Sequence, residues 1–212
     1  MARSTTTTPA LLTLLTLFAT TQLSSALQVT ANSPCSAVCR DSLDLDASDP
    51  NSSNTRNSDI TCLDSAYSSA AGNKFKNCMT CLQTSTFSQG SESDTMWFLC
   101  KLLPLTDMST CLTRTALTSK TDNMRYAVSY CVFGFPNATG IGSSPCSTNK
   151  ACGNLDVSME HGIKDPSQTT AYSYCSAGTG AAMDYANFES CIPCIAAEGK
   201  TKYLANCECL ES

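Results

Sequence analysis

Histidine and clustered basic residues are scarce in this chain. Its 212 residues include one histidine, His161, and 15% are charged, with 13 lysines and arginines against 18 aspartates and glutamates. Serine and cysteine nucleophiles usually need a histidine base, and His161 lies in the polar stretch MEHGIKDP, which is typical of a solvated loop. The net charge of −5 argues against binding to nucleic acid or to an anionic membrane surface, since both attract clusters of lysine and arginine.

Other signatures of catalysis are also missing. No glycine-rich phosphate loop follows a strand pattern. The acidic pair Asp44 and Asp46 could in principle serve glycoside chemistry, but it lies in the polar stretch DSLDLDASDPNSSNTRNSD. Nothing there is apolar enough to raise a carboxyl pKa. We therefore expect a protein that is not an enzyme, with no catalytic residue, no cofactor and no metal.

The N-terminus has the features of a secretory signal peptide. Residues 1–26 read MARSTTTTPALLTLLTLFATTQLSSA, with a positive charge at Arg3 and an apolar stretch over residues 10–19. That stretch is too short for a membrane anchor, and Ser24-Ser25-Ala26 offers small residues for cleavage after Ala26. We predict a secreted chain that begins near Leu27. No later window offers 18 unbroken apolar residues, so we expect no transmembrane segment.

Cysteine is abundant, with 15 residues. In the oxidising compartment that a signal peptide implies, cysteines at this density form disulfides. Two glycosylation sequons, Asn51-Ser52-Ser53 and Asn137-Ala138-Thr139, lie in polar, turn-rich stretches where a glycan would stay in water. We therefore predict N-glycans at Asn51 and Asn137.

The cysteines recur with one spacing in two parts of the chain. From Cys35 successive cysteines are separated by 3, 22, 15 and 2 residues, and from Cys146 by 5, 22, 15 and 2. Both series open with Ser-Pro-Cys, and both place a phenylalanine three residues before a Cys-x-x-Cys pair. The pattern indicates an internal duplication. It defines six framework cysteines in each repeat: Cys35, Cys39, Cys62, Cys78, Cys81 and Cys131, then Cys146, Cys152, Cys175, Cys191, Cys194 and Cys207.

The Cys-x-x-Cys pairs, residues 78–81 and 191–194, have three interpretations. Two such pairs could bind zinc, but they belong to different repeats and each has other cysteines nearby. A thioredoxin-like site needs the motif between a strand and a helix, whereas the residues before it have a helical pattern. Structural disulfides are the interpretation that we favour. Cysteines at positions i and i+3 of one helix seldom bond to each other, so we predict that they bond to other segments and that the two repeats have equivalent pairings.

Apolar spacing predicts several helices. Tyr67, Ala71, Phe75, Cys78 and Leu82 follow the period of one amphipathic helix. Its counterpart is predicted from Met183, Phe188, Cys191 and Ile195, ending or kinking at Pro193. A further helix is predicted over residues 122–133, with Asp122 as its cap and Met124, Ala127, Tyr130 and Cys131 on one face. The run SDTMWFL, residues 93–99, also begins with capping residues.

Residues 100–122, CKLLPLTDMSTCLTRTALTSKTD, interrupt this pattern. Without them the flanking runs would form one amphipathic helix. Cys100-Lys101 and Thr121-Asp122 can be encoded by a splice donor and an acceptor. Splicing there would remove 22 codons, or 66 nucleotides, and leave one tyrosine, giving WFLYNMRYAVSYC. The segment is thus either a retained intron or an ordinary loop, although long structureless loops are uncommon. It carries two of the three cysteines outside the framework, which are Cys100, Cys111 and Cys209.

Several short motifs together resemble a known family. They are KFKNCMTCL, SDTMWFL, NMRYAVSYCVFG, SPCSTNKAC and YLAN. They are similar to cysteine-rich secreted or cell-surface glycoproteins of filamentous ascomycete fungi, often labelled LPXTG-domain-containing, and they span most of the mature chain. Members of that family continue after YLAN into another helix, a Ser/Thr-rich stalk and a membrane segment, whereas this chain stops at Ser212. The resemblance brings no biochemical activity.

The predicted architecture is mostly α and disulfide-rich, with two tandem six-cysteine repeats of short helices and long polar loops. Residues 1–26 are the signal peptide, 27–135 the first repeat, 136–143 a linker and 144–212 a second repeat that is predicted to be truncated. We expect a secreted structural or adhesive glycoprotein of the fungal cell surface or wall, whose partner would be a wall polysaccharide or another surface protein. A secreted effector-like or small-ligand-binding protein is the alternative, and a defective splice product without a function is a third hypothesis.

Overall fold

The chain is mostly helical and rich in disulfides, as the sequence predicts. The structure, a computed structural model, describes residues 27–41, 55–90, 92–98, 123–136, 144–148, 151–152, 155–163, 173–178, 185–201 and 204. The helices are α1 Ser36–Cys39, α2 Ala70–Thr84, α3 Asp94–Phe98, α4 Asn123–Cys131, α5 Pro145–Thr148, α6 Leu155–Glu160 and α7 Tyr185–Glu198. Short 3₁₀ turns span Asn57–Asp59, Asp64–Ala66 and Ser173–Ser176, and a hairpin pairs β1 Ser88–Gln89 with β2 Glu92–Ser93.

Helix α2 forms where the apolar period predicts it, but its first turn differs. Ser69 caps the helix, because its Oγ accepts a hydrogen bond from the Gly72 backbone N–H at 3.0 Å. Tyr67 therefore precedes the helix, and Ala71 is exposed. Gly72 takes the inward position, where a Cβ atom would lie 2.1 Å from the backbone oxygen of Ala66. The predicted stripe was wrong in that turn because close backbone packing there requires glycine.

Helix α4 is buried on more than the predicted face. Met124, Ala127 and Cys131 are buried as expected, but Arg125 and Ser129 are buried as well. The predicted cap Asp122 lies outside the described residues. A helix with apolar residues on one side and hydrogen-bonded polar residues on the other packs against two partners. Helix α4 contacts α3 of the first repeat and α6 of the second.

The first described residues, 27–30, are buried and join α1 to α4. The Leu27 N–H donates to the Cys39 carbonyl at 3.3 Å. Gln28 makes two backbone hydrogen bonds with the Asn123 side chain: its N–H donates to Oδ1 at 2.9 Å, and its carbonyl accepts from Nδ2 at 2.8 Å. The paired bonds satisfy the backbone of this extended segment in the core.

Helix α6 was not predicted. The stretch MEHGIKDP was predicted to be a solvated loop, but its first residue, Met159, lies within α6. Met159 is buried, as are Leu155 and Ile163. His161 follows the helix and is exposed, as expected of a solvated side chain. Six residues are too few to show a 3.6-residue period, so local pattern could not identify this helix.

Helix α7 runs through Pro193 to Glu198, so it does not end at that proline. The alternative, a kink at Pro193, stays a prediction. Proline removes one backbone hydrogen bond from a helix interior and crowds the preceding turn. In α7 the flanking residues Cys191 and Cys194 are both joined to other segments by disulfides. We attribute the helix's continuation to these cross-links. Met183, expected on its apolar face, lies outside the described residues.

Aromatic, aliphatic and cysteine side chains from both repeats contribute to one core cluster. Its largest fully buried members are Trp97, Phe75, Leu27, Met79, Leu82, Met124, Leu155, Ile163, Ile195 and Leu204. Within the described ranges, no helix has the length and apolar character needed to cross a lipid bilayer.

Candidate functional site

Two disulfides hold α1 against α2 in the first repeat. Cys35 bonds to Cys81 and Cys39 bonds to Cys78. The cysteines lie about one turn apart on each helix, so the helices run antiparallel and both bonds fall on one seam. We call this pair of bonds the first clamp. Since Cys78 and Cys81 bond to another helix and not to each other, this motif does not form a dithiol pair of the thioredoxin kind.

The second repeat contains an equivalent pair of bonds, the second clamp. Cys146 bonds to Cys194 and Cys152 bonds to Cys191. In each clamp the outer bond is the one with the longer sequence separation, Cys35–Cys81 or Cys146–Cys194, and its Cα atoms are 5.7 Å apart in both repeats. The other, inner bond has a sequence separation of 39 residues in both. These pairings match, as the duplication predicts.

The second repeat has two more residues than the first between its first and second framework cysteines, and one backbone hydrogen bond is kept across both intervals. In the first repeat the Cys39 N–H donates to the Cys35 carbonyl at 3.0 Å, and in the second the Cys152 N–H donates to the Cys146 carbonyl at 3.2 Å. The same hydrogen bond therefore spans three intervening residues in one case and five in the other. Because this backbone bond is kept, the extra residues do not change where the second sulfur lies.

The Ser-Pro-Cys motif of the first repeat binds a buried carboxylate. The Ser33 hydroxyl accepts from the Cys35 N–H at 2.9 Å and donates to Asp94 Oδ2 at 2.6 Å. Ser85 donates to the same oxygen, also at 2.6 Å. Asp94 is fully buried, and these two hydroxyls replace part of its lost hydration. The arrangement ties α1, the end of α2 and the start of α3 together.

The second repeat builds the same turn around a different carboxylate. The Ser144 hydroxyl accepts from the Cys146 N–H at 3.2 Å and donates to Glu198 Oε2 at 3.1 Å. Glu198 ends α7, and the 113-residue offset that relates Cys81 to Cys194 also relates Ser85 to Glu198. A longer acidic side chain thus replaces the serine that points at Asp94 in the first repeat. The motif's role in anchoring the clamp is the same in both repeats.

A third disulfide of the first repeat joins Cys62 to Cys131, at the end of α4. Its counterparts in the framework are Cys175, whose side chain is outside the described set although its backbone lies in the turn Ser173–Ser176, and Cys207, which is also outside it. The structure thus joins ten of the twelve framework cysteines into five bonds. The other predicted positions outside the described residues are Asn51, Asn137, Asp44, Asp46, Cys100, Cys111 and Cys209.

Arg125 connects the two repeats. Its Nε donates to the Met159 carbonyl at 2.9 Å, and its Nη2 donates to the carbonyls of Ser158, at 3.2 Å, and of His161. The guanidinium also lies 4.3 Å from the centre of the Tyr174 ring. Ser129, one turn along α4, donates to Met159 O at 3.0 Å. A buried cation therefore satisfies the carbonyls at the C-terminus of α6, where the helix dipole favours positive charge.

Three side chains in these regions have shifted pKa values. Burial, with help from the Asp64 carboxylate, raises the pKa of Tyr67 well above its usual range. Burial also raises the pKa of Tyr126, as do Asp59 and Tyr130. At neutral pH both tyrosines are protonated. The Tyr126 hydroxyl donates a hydrogen bond to Asn57 Oδ1 at 2.8 Å.

Glu160 is the third such group. Burial and the neighbouring Asp156 raise the pKa of its carboxyl. It lies in α6 beside the carbonyls that bind Arg125, so its charge is close to the contact between the repeats.

Metal chemistry is limited by the disulfides. Among the residues that the structure describes, no cluster of three or more His, Cys, Asp or Glu side chains could hold a metal ion. The ten bonded cysteines have no free thiolate to offer a zinc ion. What the described arrangement does chemically is to cross-link and stabilise the fold.

Sequence reasoning missed Arg125, Asp94 and Ser85. Arg125 lies outside the predicted face of α4, and a charged residue usually marks a solvated helix surface. Its partners are backbone carbonyls, which have no sequence signature. The repeat itself held a usable signal for the serine turn, since Ser-Pro-Cys opens both halves and serine is a frequent cap.

Comparison with known proteins leaves this description as it stands. Five disulfides in one chain fit an extracellular or secreted protein. No protein-family model, curated protein or solved structure matches the chain.

Proposed function

We propose that this protein is a secreted, disulfide-stabilised glycoprotein of the fungal cell surface or cell wall, with a structural or adhesive role and no catalytic activity. The observation that carries the proposal is the presence of two equivalent clamps in one chain. Disulfides at this density form and persist outside the reducing cytosol. The resemblance of the cysteine motifs to fungal surface glycoproteins supports the same location.

The way in which the repeats are stabilised supports a structural role. The outer bond of each clamp, at a sequence separation of 46 or 48 residues, destabilises the unfolded chain by about 4 kcal/mol through lost loop entropy. The inner bond lies within that closed loop and adds less. Short helices with a polar surface can then stay folded without a large apolar core. A wall polysaccharide or another surface protein is the partner that we propose.

The signal peptide is part of this proposal. Leu27, the residue after the proposed cleavage site, is fully buried, and its backbone N–H bonds to Cys39. A mature chain that begins at Leu27 would keep this bond, donated by its α-amino group, and the contact supports the proposed cleavage site. N-terminal sequencing of the protein from its native cells should begin at Leu27, and a chain that retains Met1 would contradict secretion by this route.

The role itself is tested by fractionation and gene deletion. A surface protein should partition with the wall, lose mass when N-glycans are removed enzymatically, and change adhesion or surface hydrophobicity when deleted. Recovery free in the medium, with saturable binding of a small ligand or host factor, would favour the secreted-binder alternative. Recovery inside the cell with reduced thiols would contradict both.

A further inference from the structure

Helices α3 and α4 flank residues 99–122 and pack together. They contact each other, and both bury side chains against the first repeat. On α3 the buried contacts are made by Asp94, which binds Ser33 and Ser85, and by the fully buried Trp97. On α4 Asn123 and Cys131 bond to Gln28 and Cys62 of the first repeat, and Ala127 between them is fully buried. Two short helices that are separate in sequence therefore both pack against the first repeat.

The spacing of these contacts fits one helix if residues 100–122 are replaced by a single residue. Counted through Phe98, Leu99 and that residue, Trp97 lies four positions before Asn123. The contact residues Asp94, Trp97, Asn123, Ala127 and Cys131 then follow one another at intervals of three, four, four and four. That is the repeat of one helix face.

The residues that face the second repeat also fall in phase. At about 100° per residue, the five contact residues and Tyr126, which bonds to Asn57 of the first repeat, occupy an arc of about 140° on the joined helix. Arg125 and Ser129, which bind the carbonyls at the end of α6, fall on the opposite side. Adding or removing one residue at the join would rotate α4 relative to α3 by about 100° and separate the two sets.

We propose that α3 and α4 are two halves of one helix, Asp94 to Cys131, and that this protein is also made as a shorter chain in which one tyrosine replaces residues 100–122. The codons available at the two ends allow this replacement by splicing. In the shorter chain a single helix would carry the carboxylate that binds Ser33, the Cys62 disulfide and the Arg125 contact between repeats. The segment would also take with it two of the three cysteines that lie outside the framework, Cys100 and Cys111.

The test compares the full chain with three joined chains. One has tyrosine in place of residues 100–122, one has no residue there, and one has tyrosine followed by an extra alanine. We expect the tyrosine-joined chain to keep the Cys62–Cys131 bond and to melt about 5 °C or more above the full chain, because folding it does not require bringing together the ends of a 23-residue segment. The two out-of-phase chains should melt below the tyrosine-joined chain and lose the Cys62–Cys131 bond in disulfide mapping.

Equal melting temperatures for the three joined chains, or a tyrosine-joined chain less stable than the full chain, would overturn the single-helix proposal. The natural existence of the shorter chain is tested separately by amplifying transcripts across the codons of Phe98 and Asn123. We expect a second product shorter by 66 nucleotides. Finding only the long product under all growth conditions would overturn that part of the proposal.

Discussion

At the scale of single residues, stability depends on a few positions where backbone and side chains meet closely. Gly72 allows the start of α2 to touch the preceding turn, where Ser69 both donates to the Ala66 carbonyl and caps the helix. Serine hydroxyls donate hydrogen bonds to the buried Asp94 carboxylate, and the buried Arg125 guanidinium donates to backbone carbonyls. Each depends on geometry that a residue's type alone does not reveal.

Gly72→Ala tests the close approach at the start of α2. Alanine normally stabilises a helix interior relative to glycine by about 0.5–1 kcal/mol. Here its Cβ would lie 2.1 Å from the Ala66 oxygen, so we expect a loss of about 1–3 kcal/mol instead. Denaturant unfolding measures the change, with Ala71→Ser at the neighbouring exposed position as the control. A more stable Gly72→Ala variant would show that the contact is absent.

Glu160 gives a pH dependence with a defined sign. Because burial and Asp156 raise the pKa of its carboxyl in the folded state, the folded chain holds this proton at a pH where the unfolded chain has lost it. Stability from this group is therefore present below the ordinary glutamate pKa and falls as pH rises to the raised value. We expect Glu160→Gln to remove that fall. Identical pH profiles of unfolding for the variant and the parent would contradict the assignment.

At the scale of elements, much could be predicted from the sequence. The apolar period located α2 and α4, since nine or more residues are enough to show a face. The duplication required equal pairings in the two repeats, although six cysteines allow 15 connectivities and spacing alone selects none. Helix α6 could not be predicted, because six residues show no period and Leu155 and Met159 are buried only through contact with distant segments. The continuation of α7 past Pro193 could not be predicted from local sequence rules either.

The Ser-Pro-Cys turns give an element-scale prediction. Ser33→Ala removes the bond to the Cys35 N–H and leaves the fully buried Asp94 with one hydroxyl, so we expect a loss of about 2 kcal/mol. Ser144→Ala removes the equivalent bonds, but Glu198 is only partly buried in its contact, and the loss should be about 1 kcal/mol. Denaturant midpoints of the two variants test the order. Equal losses, or a larger loss for Ser144→Ala, would contradict the assigned burial.

At the scale of the whole molecule, the repeats are joined through α4, which belongs to the first by its disulfide and contacts the second through Arg125. Away from α4, a further hydrogen bond between the repeats runs from the Asp64 N–H to the Lys200 carbonyl at 2.9 Å. The duplication predicted two similar modules, but not this contact, because it is unique to the interface and absent from the repeated pattern. The modules should therefore unfold together.

Arg125→Met tests this coupling. It removes a buried cation from three carbonyls, and we expect a loss of about 2–3 kcal/mol with faster hydrogen exchange of the α6 amides. Lys76→Met on the exposed side of α2 is the matched control and should change little. If the α6 amides exchange as slowly in Arg125→Met as in the parent, the guanidinium does not hold the repeats together.

The equivalence of the two clamps is tested by disulfide mapping of the native protein, using non-reducing proteolysis and mass spectrometry. We expect linked peptides for Cys35–Cys81 and Cys39–Cys78, and for their counterparts Cys146–Cys194 and Cys152–Cys191. Pairings that differ between the repeats, or free thiols at these eight positions, would contradict it.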